Sequence, residues 1–239
     1  MKPKNTSLPR ILVCATAACL AMYSTATAQA AVIAGWDVSG ISTALTSVDA
    51  NTHLDSNLTT PVTLTFGAGF NAATPFSSHG FQAWSDKNNA GAFDPSKTTY
   101  FQFTLTPQAG YSVEVDSINE LSWQIQNAKA ETIYMASSLD NYAAAVGSAT
   151  PAVNGYSLYT WSITPTTPLV SSTALTIRLY VNSDFGYCAA GLAGTQYGNN
   201  AGDSLEINGM VSAVPEPTTW ALLALSLTGV VIFRRRRLG

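Results

Sequence analysis

Side chains suited to catalysis are few in this 239-residue chain, and they are widely spaced. The two histidines, His53 and His79, lie in stretches rich in serine, threonine and asparagine, which predict loops. A hydrolase of the Ser-His-Asp type needs a strained nucleophile turn, and the sequence contains no G-x-S-x-G segment. Zinc needs three or four clustered ligands, which two separated histidines and Cys188 do not supply.

Carboxylates are the remaining candidates for acid–base chemistry. A glycoside hydrolase would need a pair of them, drawn here from Glu114, Asp116, Glu120 and Glu131. No pair stands out, and outward positions on a strand account for Glu114 and Asp116. We therefore expect that the protein is not an enzyme, with a secreted polysaccharide hydrolase as an alternative.

Oxygen-rich loops offer a weak case for calcium. Asp86 and Asp94 belong to one such loop and Asp203 to another, but neither has the ligand spacing of an EF-hand. Ordinary loop polarity explains both. We expect no cofactor and no metal, and keep calcium as the alternative.

Aromatic residues are the best indication of a ligand. Trp84, Tyr187 and Tyr197 fall in predicted loops, where a ring can stack on the face of a sugar. Trp123 and Trp161 occupy inward positions of alternating strands and are predicted to belong to the core. These loop aromatics favour a glycan as a contact.

Alternation of apolar and polar residues dominates residues 31–213, which we take as one domain. It is cleanest at Leu175, Ile177, Leu179 and Val181, with Arg178 and Tyr180 pointing outward. The other predicted strands are 32–38, 61–66, 101–105, 111–115, 121–125, 133–135, 159–163 and 205–211. Eight to ten such strands predict an all-β fold, a two-sheet antiparallel β-sandwich of jelly-roll kind. Residues 140–146 are expected to form one or two helical turns.

Residues 1–30 have the organisation of a secretory signal peptide. Lys2, Lys4 and Arg10 are followed by an apolar helix over residues 11–22 and by small residues that favour cleavage after Ala30. An uncleaved anchor and a lipoprotein acylated at Cys19 are alternatives. After cleavage Cys188 is the only cysteine, so the domain has no internal disulfide and depends on its apolar core.

The C-terminal segment, residues 214–239, contains three different pieces in order. Pro215, Glu216 and Pro217 form a stiff extended strip. An uncharged apolar run from Trp220 to Phe233 follows, whose helix reaches roughly 21 Å against a hydrocarbon core of about 30 Å. The run ends in four arginines that stay on the cytoplasmic side, namely Arg234, Arg235, Arg236 and Arg237.

Charge is unevenly distributed. Between the two terminal segments lie four basic and thirteen acidic residues, a net charge of −9. An acidic exterior argues against nucleic acid, which needs a positive surface, and is compatible with neutral glycans.

The order of Pro-Glu-Pro, short apolar helix and arginine cluster resembles the PEP-CTERM sorting signal. The resemblance implies removal of the tail by an exosortase, a membrane-embedded transpeptidase-like enzyme of Gram-negative bacteria that make exopolysaccharide. The same tail is also known as an ice-binding protein C-terminal domain, which is no indication of ice binding. A plain single-pass tail anchor is the alternative.

A second resemblance covers the domain itself. The segments 33–37, 100–105, 110–112, 135–140, 176–180 and 205–209 are similar to an ectodomain that recurs in PEP-CTERM proteins. Such ectodomains resemble carbohydrate-binding jelly rolls. The loop at residues 186–202 is longer and richer in Gly, Asn and Tyr than that pattern.

The sequence thus predicts an exported protein that is anchored transiently in the inner membrane and then reaches the cell surface or the exopolysaccharide matrix. Signal peptidase and exosortase are its expected partners during export, and exopolysaccharide is a candidate partner afterwards. A structural or glycan-associated role is expected, and a carbohydrate-binding module using the loop aromatics is the alternative.

Overall fold

The computed structural model describes residues 30–41, 43, 45–70, 80–85, 91–126, 131–151, 157–183, 188–193, 205–214 and 226. Strands dominate this part of the chain. They are β1 (Ala31–Trp36), β2 (Ser47–Asp49), β3 (His53–Leu54), β4 (Thr63–Phe66), β5 (Gly80–Ser85), β6 (Tyr100–Leu105), β7 (Tyr111–Gln126), β8 (Glu131–Ser137), β9 (Gly147–Ala149), β10 (Ser157–Ile163), β11 (Leu169–Ser171), β12 (Leu175–Ser183), β13 (Cys188–Ala193) and β14 (Leu205–Ala213).

The strands form two antiparallel sheets. In sheet A the order is β3-β1-β14-β7-β13-β5, and β10 and β11 pair with the opposite edge of β7. In sheet B the order is β2-β4-β6-β12-β8-β9. Each sheet has one apolar face, and burying both faces at once requires the sheets to stack. The predicted all-β sandwich is confirmed.

The connections follow the jelly-roll pattern. We number the eight principal strands 1 to 8 in chain order, taking β1, β6, β7, β8, β9, β10, β12 and β14. The sheet orders are then 1-8-3-6 and 2-7-4-5, which is the arrangement of two interlocked Greek keys. The jelly-roll prediction is therefore also confirmed, and the remaining strands extend the two sheets.

Strand β7 is the central strand of sheet A and pairs with four others. Its first half pairs with β14 and β11, and its second half pairs with β13 and β10. The sequence suggested two separate strands here, at 111–115 and 121–125, but the structure has one continuous strand. A bulge at Asp116, opposite the step from Asn208 to Gly209, lets the strand change direction without ending.

The core lies between the sheets and is built by the alternation that the sequence predicted. Leu175, Ile177, Leu179 and Val181 of β12 are fully buried. Aromatic pairs join the two sheets. The ring centroids of Trp36 of β1 and Phe103 of β6 lie 5.3 Å apart, and the ring of Phe81 of β5 stacks on that of Phe66 of β4 with the centroids 4.0 Å apart. Such pairs add to simple area burial because ring edges and faces attract each other.

Three expectations about elements need correction. The described residues contain fourteen strands, more than the eight to ten predicted. Four of the unpredicted strands (β2, β3, β9 and β11) have only two or three residues, and the other two (β5 and β13) have six residues without clean alternation. Residues 140–146 do not form helical turns; a single 3-10 turn occupies Ser138–Asp140 instead. His53 lies in strand β3 and not in a loop, with its side chain exposed.

Both flanking helices fall outside the described residues. Beyond Val214 the structure describes only Ser226. Within the described part of the chain no helix is long and apolar enough to cross a membrane.

Candidate functional site

The sorting segment begins where the folded domain ends. The last strand, β14, stops at Ala213, and the N–H of Val214 donates to the carbonyl of Gly110 at 2.7 Å. Pro215 follows directly, so no spacer separates the domain from the Pro-Glu-Pro strip. The strip itself (Pro215, Glu216, Pro217), the ends of the apolar run (Trp220, Phe233) and the arginines (Arg234, Arg235, Arg236, Arg237) lie outside the described residues.

The predicted glycan contacts are only partly described. Tyr187 and Tyr197 lie outside the described residues. Trp84 does not lie in a loop as expected: it belongs to strand β5, where its Cα pairs with Ala189 of β13. The pairing of β5 with β13, more than a hundred residues later in the chain, was not apparent from the local sequence.

Of the calcium candidates, Asp86 and Asp203 lie outside the described residues. The carboxylate of Asp94 accepts hydrogen bonds from the N–H and the hydroxyl of Ser96, at 2.9 and 2.7 Å. These hydrogen bonds, the one from the hydroxyl more than the one from the N–H, hold the pKa of Asp94 below its usual value. Among the described residues, no three His, Cys, Asp or Glu side chains cluster closely enough to hold a metal ion.

Glu120 is a carboxylate whose position the sequence did not reveal. It is fully buried on β7, in register with Trp161 of β10 and Leu205 of β14. Trp161 is 7% exposed, as expected for a core residue. An open depression of about 300 Å³ adjoins them, bordered also by Asn119, Thr160 and Ser162.

The outward face of sheet B is the more distinctive surface. Cross-strand pairing arranges its side chains in rows that run across the strands. One row consists of Tyr100, Tyr180 and Tyr134, followed by Ser148. The next contains Thr65, Gln102, Arg178 and Ala136. A third contains Thr104 and Thr176, whose hydroxyls lie 2.8 Å apart.

Arg178 is held at the centre of this face by aromatic rings. Its Cζ lies 4.3 Å from the ring centroid of Tyr100 and 3.8 Å from that of Tyr142. A guanidinium over an aromatic face is attracted by the ring quadrupole, more strongly where water is displaced. We call Tyr100, Gln102, Tyr142, Arg178 and Tyr180 the Arg178 platform.

The hydrogen bonds of Arg178 leave part of the guanidinium open. Nε donates to Oε1 of Gln102 at 3.2 Å, and one terminal nitrogen donates to the Tyr180 hydroxyl at 3.4 Å. Burial alone would lower the pKa of Arg178, but the Tyr180 hydrogen bond and the phenolic oxygens of Tyr100, Tyr180 and Tyr142 outweigh it and raise the pKa. The side chain is cationic, as arginine is throughout the physiological pH range.

Tyr142 reaches Arg178 from an unusual backbone conformation. Asn141 and Tyr142 have φ values of 58° and 61°, in the left-handed region. Asparagine tolerates this region, whereas a tyrosine there costs roughly 1–2 kcal/mol. The turn is held by its surroundings: the N–H of Tyr142 donates to Ser137 O at 2.9 Å, and the N–H of Thr176 donates to the hydroxyl of Ser138 at 3.0 Å.

A loop covers the other end of the same face. The ring of Phe93 packs edge-on against that of Tyr180, with the centroids 5.2 Å apart, and at a tilt against that of Tyr134, at 5.8 Å. The side-chain amide of Asn182 donates to the carbonyls of Gly91 and Ala92, at 2.9 and 3.1 Å. Tyr180 points outward as predicted, but this cover leaves it only 1% exposed.

Fold and face together define a jelly-roll domain that presents a rigid surface of rings, hydroxyls and one cation. Residues 213–237 match the model of the PEP-CTERM protein-sorting motif. The match includes the Pro-Glu-Pro strip and all four arginines, and the chain therefore carries a PEP-CTERM sorting domain. It is an exported protein sorted by an exosortase. A comparison with curated proteins gives no match.

Proposed function

We propose that the mature protein is a non-enzymatic, glycan-associated component of the cell surface or of the exopolysaccharide matrix. In this view an exosortase removes the tail from the domain at the outer face of the inner membrane, after signal peptidase has cut near Ala30. The observation that carries the proposal is the direct junction in sequence between β14, which ends at Ala213, and the matched sorting motif, which begins at residue 213.

Two features support the glycan association. The outward face of sheet B carries hydroxyl, amide and phenol groups on regular strands, so its donors and acceptors are fixed before any ligand binds. The net charge of −9 between the terminal segments disfavours nucleic acid and anionic lipid as partners. A saccharide chain fits both features, because it combines hydroxyl groups with flat apolar ring faces.

Processing is tested by the intact mass of the protein recovered from host cells with and without their exosortase. We expect the mass to lack residues 1–30 in both kinds of cell. It should lack the arginine-containing tail only where the exosortase is present. The double variant Pro215→Ala, Pro217→Ala should keep its tail and stay in the membrane fraction. If the protein kept its tail in cells that contain the exosortase, and if the double variant reached the same location as the wild type, the tail would be a plain anchor.

Glycan association is tested by co-sedimentation of the mature protein with polysaccharide isolated from the same host. Retention of the protein on that polysaccharide, and not on cellulose of equal mass, supports the proposal. Turnover of the polysaccharide, abolished by Glu120→Gln, would instead show a hydrolase. Absence of both retention and turnover would overturn the glycan association and leave export and sorting in place.

A further inference from the structure

Arg178 is a cation without an anionic partner among the described residues. No carboxylate of the described part of the chain lies within ion-pairing distance of its guanidinium; its contacts there are two rings, one amide oxygen and one phenol. Asp140, the acidic residue of the Ser138–Asp140 turn, makes a local hydrogen bond, in which its Oδ2 accepts from the N–H of Ala144 at 3.1 Å. In a domain with thirteen acidic residues, this isolation of the central cation is notable.

The platform also fixes the orientation of the guanidinium. The rings of Tyr100 and Tyr142 pack against it. Two of its nitrogens donate hydrogen bonds to Gln102 and Tyr180. The remaining terminal nitrogen has no hydrogen bond to a described residue. A preoriented planar fork with open N–H donors is suited to a carboxylate, which it can bind through two parallel hydrogen bonds.

The surroundings of the fork decide which carboxylate would fit. Tyrosine rings flank it, and the hydroxyls of Thr104 and Thr176 lie in the adjoining row. These are contacts for a ring that carries hydroxyl groups. The net negative charge of the domain opposes a densely charged polyanion, so a ligand with single, well-spaced carboxylates is favoured.

We infer that the Arg178 platform is a binding site for an acidic saccharide, with the guanidinium of Arg178 binding the carboxylate of a uronate-type sugar and Tyr100 and Tyr142 contacting its ring. This inference rests on the proposed glycan association and adds to it the class of sugar and the residues that recognise it. The Phe93 loop and the Ser138–Asp140 turn border the site at its two ends.

The test compares two forms of one polymer. Binding of the mature protein is measured by affinity electrophoresis in gels that contain glucuronoxylan, whose glucuronate carboxylates are spaced along a neutral xylan chain, or the same polymer with its carboxyl groups reduced to alcohols. We expect the wild-type protein to be retarded by the acid form at least about tenfold more strongly than by the reduced form, because charge-assisted hydrogen bonds are lost on reduction. Equal retardation by both forms would overturn the inference.

The variants separate recognition from bulk charge. Arg178→Gln should lose about tenfold or more in affinity for the acid form, whereas Lys97→Gln, which removes the same unit charge elsewhere, should change affinity less than about twofold. Arg178→Lys retains the charge but not the planar fork and should bind nearly as weakly as Arg178→Gln. Equal effects of the Arg178 and Lys97 variants would show non-specific charge attraction and overturn the inference.

Two further readouts keep the conclusions distinct. The melting temperature of each variant shows whether it is folded, and if Arg178→Gln unfolds, Arg178→Lys decides the outcome. A protein that binds host polysaccharide but neither form of the probe, or whose Arg178 variants bind the acid form normally, disproves the acidic-saccharide site alone. A protein that binds no polysaccharide at all disproves the glycan association as well.

Discussion

The two outward faces of the jelly roll differ far more than the two inward faces. Inside, sheets A and B present the same kinds of apolar side chains to each other. Outside, the described residues of sheet A present carboxylates and amides, among them Glu114, Glu206 and Asn119, with Ser162 donating to Asn119 at 2.7 Å. The outward face of sheet B instead carries the tyrosine row and Arg178.

This contrast indicates where selection for folding ends and selection for contact begins. The inward faces must exclude water to stabilise the domain, which restricts them to apolar residues. The outward face of sheet A needs only to be hydrated. The outward face of sheet B carries features that hydration does not require, namely a cation stacked on rings and a tyrosine in a costly backbone conformation.

The largest expected effect is on the stability of sheet A. A Cβ atom at Gly209 would collide with the backbone carbonyl oxygen of Glu114, at the bulge where β14 follows β7. Gly209→Ala should therefore lower the free energy of unfolding by about 3 kcal/mol, because the obstacle is backbone and cannot turn away. Urea unfolding measures this, with Gly40→Ala as the control, since nothing lies within 4 Å of a Cβ there.

If Gly209→Ala unfolded at the same urea concentration as Gly40→Ala, the bulge would be able to shift. Close approach of β14 to β7 at Gly209 would then not be required for the stability of sheet A.

A smaller effect is expected at Tyr142, on the face of sheet B. Tyr142→Gly and Tyr142→Ala both remove the ring from Arg178, but only glycine adopts a φ of 61° without cost. The glycine variant should be more stable than the alanine variant by about 1 kcal/mol, while both bind the acid polymer equally weakly. Thermal melts and the electrophoresis assay measure the two quantities on the same samples.

Equal stability of the two variants would mean that the turn changes conformation once the ring is gone. Binding at the wild-type level in either variant would remove Tyr142 from the platform while leaving Arg178 in it.

The smallest effect is expected from the acids of sheet A. The double variant Glu114→Gln, Glu206→Gln alters two outward side chains of that sheet. Its affinity for glucuronoxylan should rise by less than about twofold, through reduced long-range repulsion alone. A larger gain in the same gels would mean that the polymer contacts sheet A, and the assignment of contact to sheet B would fail.

Sequence reasoning predicted the features that depend on local alternation. The inward residues of β12, from Leu175 to Val181, follow from a period of two, and so does the pairing of two amphipathic sheets. It was less successful where one extra residue changes the period. The bulge at Asp116 brings Ile118 and Glu120 onto the inward side after Val113 and Val115, and this buries a carboxylate that no pattern marks.

The Arg178 platform could not be predicted from the sequence for a different reason. Its parts come from strands β6 and β12 and from the turn after β8, which only the completed sheet brings together. Tyr142 depends on a left-handed turn, and the cover over Tyr180 depends on Phe93, nearly ninety residues earlier in the chain. The only local signal was a lone arginine among alternating apolar residues, in Ile177-Arg178-Leu179-Tyr180.

The pairing of β1 with β14 has a consequence for the time course of secretion. The first strand of the domain lies beside the last one and pairs with it from Ala31 with Gly209 to Trp36 with Leu205, with one shift of register between Val32 and Ala34. In a polypeptide that crosses a translocation channel N-terminus first, β1 lacks its partner strand β14 until nearly all of the domain has emerged. Closure of the sheet thus coincides with arrival of the sorting motif at the channel, and a chain truncated before β14 would present neither a finished fold nor a signal to be cut.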